Sequence, residues 1–115
     1  MRMGIMASAL ALAWMATVSN AMAAKVTPSA PPPGPRVQIQ NFAFMPKTLT
    51  VSAGSKVVWT NLDEEPHIVT SAGGNFRSSP GLDTNDSYSF TFDKPGTYTY
   101  YCSIHPMMVG TIVVQ

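Results

Sequence analysis

The sequence predicts an all-β fold, a two-layer antiparallel or mixed sandwich with Greek-key connections. From Arg36 onward, apolar and polar residues alternate with a period of two, and β-branched and aromatic residues are frequent. No window in this part of the chain sustains the 3.6-residue period of an amphipathic helix. Turn residues separate short alternating runs at a regular spacing, which is typical of a sandwich of about seven to eight strands.

The first alternating run covers residues 37–40 and continues through the apolar Phe42 and Phe44. Pro46 ends it, because proline has no N–H to donate to a neighbouring strand. Six later runs show the same alternation or the same enrichment in β-branched and aromatic residues. These predicted strands are 48–51, 56–60, 67–70, 87–92, 97–101 and 111–114.

Two segments between these strands are interpreted as loops. Residues 71–85 are rich in Gly, Ser, Asn and Pro, so they should form a long surface loop. The acidic run Asp63-Glu64-Glu65, just before His67, is expected to be a solvated connection, with a docking patch for a basic partner as the alternative. Most aromatic side chains of the strands are expected to fill the core rather than to contact a cofactor: Phe42, Phe44, Trp59, Phe90, Phe92 and Tyr98.

The N-terminal part of the sequence is not expected to belong to the fold. Residues 1–23 have the pattern of a signal peptide, with Arg2, an apolar run over 5–18 and a small-residue cleavage motif that ends at Ala23. This apolar run is shorter than the roughly 20 residues that span a membrane, although a retained anchor is the alternative. Residues 24–35 are proline-rich and are expected to form a semi-rigid linker to a single domain, 36–115.

The charge balance excludes some classes of partner. The chain has seven Lys and Arg against six Asp and Glu. Loss of Arg2 with the leader makes the charges equal, so we expect no nucleic-acid binding and no membrane association after leader removal.

The mature domain is small enough to benefit from a stabilising metal, and its single cysteine excludes an internal disulfide. We expect a monomer.

A cluster of potential metal ligands stands near the C-terminus. Cys102, His105 and Met108 follow a C-x2-H-x2-M spacing, and Pro106 between them is expected to forbid a regular strand or helix through this segment. A tight loop there would direct all three side chains toward one point. His67, which opens a predicted strand after a polar connection, could complete the set.

These donors match one kind of metal site. Two imidazoles, one thiolate and a weak axial thioether are the ligands of a mononuclear type 1 copper centre, which suits electron transfer because it accommodates both Cu(I) and Cu(II). Taken singly, a cysteine or methionine is more often a core residue, and a histidine a surface one. Both histidines and the only cysteine of an exported domain are less easily explained in that way, since an unpaired thiol is unusual there.

On these residues the domain resembles the cupredoxins. The segments GTYTYYC and VGTIVV resemble the strands that bracket the copper loop in that family, and the short spacers around the loop histidine resemble its amicyanin branch more than plastocyanin. The resemblance covers essentially 36–115 and implies a cupredoxin-like Greek-key sandwich that binds one Cu(I)/Cu(II) ion. It implies the ligands His67, Cys102, His105 and Met108, with both histidines bound through Nδ1 and the far edge of His105 at the surface as the electron port.

Met107 is the competing axial ligand, and Met108 fits the resemblance better. With Met108 as ligand, Met107 would join Ile104 and Pro106 in an apolar rim around His105. The chain departs from its relatives at Ile68, where many have asparagine, and here only the backbone N–H is left to bond the Cys102 sulfur. The N–H of Ile104, where amicyanin-like proteins often have proline, could donate a second bond to that sulfur.

The leading functional hypothesis is a soluble, periplasmic one-electron carrier. Its expected partners, docking near His105, are a c-type cytochrome or a dehydrogenase as donor and an oxidase or reductase as acceptor. The alternative is a periplasmic copper-binding protein for copper delivery or resistance. An enzyme is not expected, because the sequence offers no open coordination position, no second copper cluster and no Ser/His/Asp or paired-carboxylate arrangement.

Overall fold

Two four-stranded sheets form the domain in the computed structural model, which describes residues 34–115. The predicted leader, 1–23, and the linker, 24–35, except its last two residues, lie outside the described residues. In chain order the strands are β1 (Arg36–Gln40), β2 (Ala43–Met45), β3 (Thr48–Val51), β4 (Ser55–Asn61), β5 (Thr70–Ser71), β6 (Ser87–Phe92), β7 (Gly96–Cys102) and β8 (His105–Val114).

The strand order confirms the predicted all-β sandwich. One sheet has the order β2-β1-β4-β6 and the other β3-β8-β7-β5. Both sheets are mixed, because β1 pairs in parallel with β4 and β3 with β8, whereas the other pairs are antiparallel. Within residues 34–115, the structure contains no helix long and apolar enough to cross a membrane.

The first predicted run is divided into two strands by a tight hairpin. Asn41 and Phe42 have φ angles of 54° and 56°, and the residues that flank them, Gln40 and Ala43, are paired. Positive φ at both central residues is the signature of a type I′ turn, whose twist suits a two-residue hairpin. The prediction that Phe42 lies in the core is therefore wrong: at the tip of this turn, 49% of the residue is exposed.

The last strand is longer than predicted and runs through Pro106, so the prediction that no regular strand continues through this residue is wrong. β8 begins at His105, directly across the ladder from Cys102. The register then shifts between Tyr101 and Cys102, so the ladder is irregular where Pro106 enters it. Proline is tolerated at such an irregularity, because no ladder hydrogen bond there requires its missing N–H. The expected tight loop is thus a two-residue turn, Ser103 and Ile104, between β7 and β8.

The long loop after β5 contributes to the core, which corrects its assignment to the surface. Phe76 and Leu82 are buried, and the Phe76 ring stacks on Trp59 at 6.1 Å between centroids with an interplanar angle of 6°. The predicted strand 67–70 is reduced to the short β5 and an isolated bridge between His67 and Leu82. The loop closes over one side of the sandwich instead of projecting from it.

The hydrophobic core follows the alternation read from the sequence. Three predicted core aromatics, Phe44, Trp59 and Phe92, are buried, and Phe90 and Tyr98 are partly buried against them. The remaining buried apolar side chains are Val37, Ile39, Val51, Val57, Val69, Phe76, Leu82, Tyr100, Cys102, Met108, Ile112 and Val114. Cys102 and Met108 belong to this set, so two predicted copper ligands lie at the edge of a packed interior.

Gly110 of β8 is required by the ring of Tyr100 on the neighbouring strand. A Cβ atom at residue 110 would overlap the Tyr100 ring and hydroxyl. Tyr100 is fully buried, so its ring is packed on all sides and has little room to turn away. We expect Gly110→Ala to lower the free energy of unfolding by about 1–3 kcal/mol, as overpacked cores do.

Urea unfolding of the apo-protein would measure this loss. Gly81→Ala is the matched control, because a Cβ there would meet no atom within 4 Å. A change within about 0.5 kcal/mol is expected for it. Equal stabilities for the two variants would show that the Tyr100 ring can move aside.

Candidate metal centre

His67, Cys102 and His105 converge at one end of the sandwich. One donor atom from each lies within 4.8 Å of the other two. The Cys102 Sγ is 3.8 Å from Nδ1 of His67 and 3.7 Å from Nδ1 of His105. His67 and Cys102 are fully buried, whereas His105 is partly exposed. The structure thus brings together a thiol and two imidazoles that the sequence places 35 and 3 positions apart.

Separate elements deliver the three donors. Cys102 ends β7 and His105 begins β8, and their pairing across the two-residue turn places both side chains on one side of the hairpin. His67 comes from the connection after β4, where its backbone N–H donates to the Leu82 carbonyl at 3.1 Å and the Leu82 N–H donates back at 2.8 Å. Two hydrogen bonds therefore fix the backbone of the distant histidine.

The spacing of the donor atoms suits a single metal ion. Three ligands arranged trigonally, with bonds of about 2.0 Å to nitrogen and 2.3 Å to sulfur, would separate nitrogen from sulfur by about 3.7 Å. The observed separations of 3.7 and 3.8 Å match that arrangement. They are too long for the donors to be held by strong hydrogen bonds to one another. All three donor atoms also lie within 4.8 Å of one another, so they can approach one ion.

The Cys102 sulfur accepts one backbone hydrogen bond. The N–H of Ile68 donates to Sγ at 3.3 Å, as expected from the sequence despite the missing asparagine. The second bond expected from Ile104 is absent among the hydrogen bonds of the described residues, because residue 104 belongs to the exposed turn. One backbone N–H therefore donates to the sulfur.

Asp63 holds the outer nitrogen of His67. Its carboxylate oxygen Oδ2 lies 2.8 Å from His67 Nε2, and its side chain is 11% exposed. A carboxylate can only accept, so Nε2 carries the proton and Nδ1 is left free to bind a metal. The assignment of Asp63 to a solvated connection is wrong, whereas Glu64 and Glu65 are exposed as expected.

The same carboxylate binds the β1–β2 hairpin. The N–H of Asn41 donates to Oδ1 at 2.7 Å and the N–H of Phe42 donates to Oδ2 at 2.9 Å. Burial raises the pKa of Asp63, but the hydrogen bonds from Phe42, His67 and Asn41 outweigh it and hold that pKa below its usual value. Asp63 thus joins a strained turn to a candidate ligand.

Buried Asn61 shapes the segment between β4 and His67. Its Nδ2 donates to the carbonyls of Glu65 and Leu82, both at 2.9 Å, and its Oδ1 accepts the Asp63 N–H at 2.9 Å. Fully buried amides are stable only when their hydrogen bonds are satisfied, as they are here. The position of Asp63 is therefore set by the core and not by a flexible loop.

The two candidate axial ligands differ sharply in burial. Met108 is 4% exposed, whereas Met107 is 95% exposed. Alternation along β8 places these adjacent residues on opposite faces of the strand. The structure therefore places Met108 on the interior side of β8 and Met107 in solvent.

Phe42 is a second residue near the centre that the sequence did not indicate. Its ring lies edge-on to both histidines, at 5.3 Å from His67 and 5.1 Å from His105 between ring centroids. The Asn41-Phe42 dipeptide starts with a residue that tolerates positive φ, which was the available sign of a turn. The apolar alternation on either side obscured that sign.

Comparisons with known proteins agree with this geometry. A family model described as a cupredoxin-like domain matches residues 6–114. Amicyanin-alpha of Methylorubrum extorquens is 37% identical over 125 aligned positions that cover 100% of both chains. Amicyanin of Paracoccus denitrificans is 34% identical over 83 positions, covering 69% of this chain and 63% of that protein.

Solved structures of cupredoxins also resemble this chain. A purple cupredoxin of Nitrosopumilus maritimus has a TM-score of 0.65 at 32% identity, covering 70% of this chain and 99% of its own. A Cu(I) form of an amicyanin variant has a TM-score of 0.68 at 31% identity, covering 71% of this chain and 82% of its own. The first of these is described as a cupredoxin, and the second as an amicyanin that holds reduced copper.

Proposed function

The chain belongs to the cupredoxin family, and from that membership we propose that it is a type 1 blue copper protein that carries single electrons between redox partners. The observation that carries the proposal is the buried triangle of His67, Cys102 and His105, with donor atoms spaced for one trigonal ion. Copper bound there supplies a one-electron couple. The protein supplies a rigid mixture of soft and borderline donors, which serves both oxidation states.

The chemistry of the surroundings favours electron transfer over bond-making catalysis. Cys102 and His67 are fully buried, so water does not reach them, whereas His105 remains partly exposed. An electron can therefore pass through the accessible edge of one imidazole while the other donors stay in place. Cys102 and His67 do form a thiol–imidazole pair with Asp63 behind the imidazole, but both are fully buried, so a substrate cannot reach the sulfur.

We propose His67, Cys102, His105 and Met108 as the copper ligands. The burial of Met108 supports its role as the weak axial donor over the exposed Met107. Both histidines present Nδ1 to the sulfur, which supports binding through that nitrogen.

Substitution of the axial ligand tests this set. We expect Met108→Leu to raise the reduction potential, because loss of a fourth donor weakens Cu(II) binding more than Cu(I) binding. The rise should be on the order of 59 mV, which corresponds to a tenfold loss of relative Cu(II) affinity. Protein-film voltammetry would measure it, with Met107→Leu as the control. A larger shift for the control would transfer the axial role to Met107.

The surface around His105 is proposed as the docking site for redox partners. Ile104 and Met107 are 48% and 95% exposed, and Pro106 between them is exposed as well. This apolar rim is the arrangement expected from the sequence, and it would exclude water around the exposed imidazole when a partner binds. The proposed partners are a c-type cytochrome or a dehydrogenase as donor and an oxidase or reductase as acceptor.

We also propose that the protein acts as a periplasmic monomer that has no membrane contact after removal of its leader. The signal-peptide pattern of residues 1–23 and the unpaired Cys102 support export and a metal-bound thiol. Cleavage after Ala23 would leave residues 24–35 as a proline-rich linker before the domain. Mass spectrometry of the protein recovered from periplasmic extracts would identify the mature N-terminus.

Addition of Cu(II) to the apo-protein tests the function directly. A blue copper carrier should develop an intense thiolate-to-copper band at one equivalent and show a reversible one-electron wave. A copper-delivery protein would bind Cu(I) but release it readily to a chelator and would not need to cycle. A colourless complex, or free alkylation of Cys102 in the presence of copper, would refute the proposal.

A further inference from the structure

Phe42 occupies an unusual position for a large apolar residue. Its ring contacts the rings of both His67 and His105, and these two rings also contact each other at 5.1 Å between centroids. All three pairs are edge-to-face, with interplanar angles of 89°, 84° and 65°. Such pairs are mutually attractive, because the positive ring edge of one meets the negative face of the other. The three rings form a closed cluster.

The backbone holds Phe42 in a conformation that bulky residues rarely adopt. Its φ of 56° lies in the left-handed region, where a large side chain is strained. The turn is held there by the Asp63 carboxylate, which accepts the N–H groups of both turn residues. The same carboxylate accepts Nε2–H of His67. Phe42 therefore reaches the candidate ligands in two ways: its backbone through Asp63, and its ring by direct contact with both histidines.

We propose that Phe42 is a positioning residue that holds the imidazoles of His67 and His105 with both Nδ1 atoms facing the Cys102 sulfur. This inference rests on the proposed copper function. It adds a residue that orients two of the ligands without being a ligand itself. His67 has further restraints in Asp63 and the Leu82 bridge. His105 has no hydrogen bond to its Nε2 among those of the described residues, so its orientation depends on the Phe42 and His67 rings.

The expected consequence is greater freedom of His105 than of His67 when Phe42 is removed. The His67 ring would then be the one aromatic contact that His105 keeps among the described residues. A mobile His105 would let a bound ion leave more easily and would demand more reorganisation at each electron transfer. Leu at position 42 would preserve apolar cover but not the ring edge.

Three variants separate these contributions. Phe42→Ala removes the ring, Phe42→Leu keeps an apolar side chain, and Phe42→Tyr keeps the aromatic edge. Met45→Ala is the matched control, because Met45 lies on the same hairpin, is 52% exposed and makes no ring contact with either histidine. Urea unfolding of each apo-protein would report any general loss of stability separately.

The first measurement uses the apo-protein and needs no metal. With histidine labelled at ¹³Cε1, NMR relaxation should show increased motion of His105 in Phe42→Ala and Phe42→Leu. The increase for His67 should be smaller. Phe42→Tyr and Met45→Ala should match the unaltered protein. The second measurement is the rate of Cu(I) loss to a chelator, which should rise on the order of tenfold in Phe42→Ala and remain unchanged in Phe42→Tyr.

Unchanged His105 relaxation in Phe42→Ala, with an unchanged rate of copper loss, would overturn the role of Phe42. Equal acceleration in Phe42→Tyr would also overturn it, because the ring would then not be the active feature. Failure of the unaltered protein to take up copper would instead defeat the proposed function. In that case the relaxation of the apo-protein still decides whether Phe42 orders the two imidazoles.

Discussion

Replacing Cys102 with Ser is expected to abolish the visible charge-transfer band and the reversible one-electron couple. The thiolate is the only soft anionic donor of the cluster, and a serine hydroxyl does not ionise at neutral pH to take its place. Copper affinity should fall by more than the roughly 10–100-fold that follows loss of an outer-shell partner. Visible and paramagnetic resonance spectra of the copper-loaded variant, with chelator competition, would measure these losses.

The fold should survive this substitution, since serine has a similar size and its oxygen can still accept the Ile68 N–H. Ser103→Ala is the matched control, because Ser103 is the adjacent, exposed residue of the β7–β8 turn. Circular dichroism of both apo-proteins would establish that they are folded. A Cys102→Ser protein that kept its colour would place the thiolate outside the site and refute the proposed ligand set.

Replacing Asp63 with Asn should weaken copper binding by about 10–100-fold while leaving every proposed ligand in place. The two carboxylate oxygens accept three N–H groups, from Asn41, Phe42 and His67. An amide of the same shape has one acceptor oxygen and presents an NH₂ where a second acceptor is required. The variant must therefore lose part of its hold on the hairpin or on His67.

Competition with a chelator of known affinity would quantify the effect of Asp63→Asn. Glu64→Gln is the control, because it removes the same charge from the adjacent, exposed residue. If the two substitutions weakened binding equally, long-range charge would explain the effect. A specific loss for Asp63→Asn would assign it to the hydrogen bonds.

The sandwich could be predicted because its strands alternate with a period of two and bury one face. Trp59 and Phe92 were assigned to the interior on that basis and lie there fully buried. The same rule failed at Phe42, because alternation alone cannot distinguish one long strand from two strands joined by a two-residue turn. It also missed the buried Phe76, which stands in a segment with no alternation at all.

The candidate metal ligands could be predicted from the sequence, whereas the residues that hold those ligands in place could not. Cys102, His105 and Met108 lie within seven residues of each other, so their convergence follows from a local turn. Asp63 contacts His67 only four residues away, but it also binds Phe42 of the hairpin, 21 residues away, and that contact depends on how the sheets close. The chemistry of the donors is thus visible in the sequence, whereas the groups that orient them emerge only from the packing.

The central position of β8 sets when the metal can be acquired. β8 lies between β3 and β7 and carries the last donors, while its parallel partner β3 was synthesised much earlier. A nascent chain that has not yet reached His105 lacks both the middle strand of one sheet and part of the binding triangle. The binding triangle is therefore completed only when β8 pairs with β7, so His67 and Cys102 wait for the last strand before they can share an ion with His105.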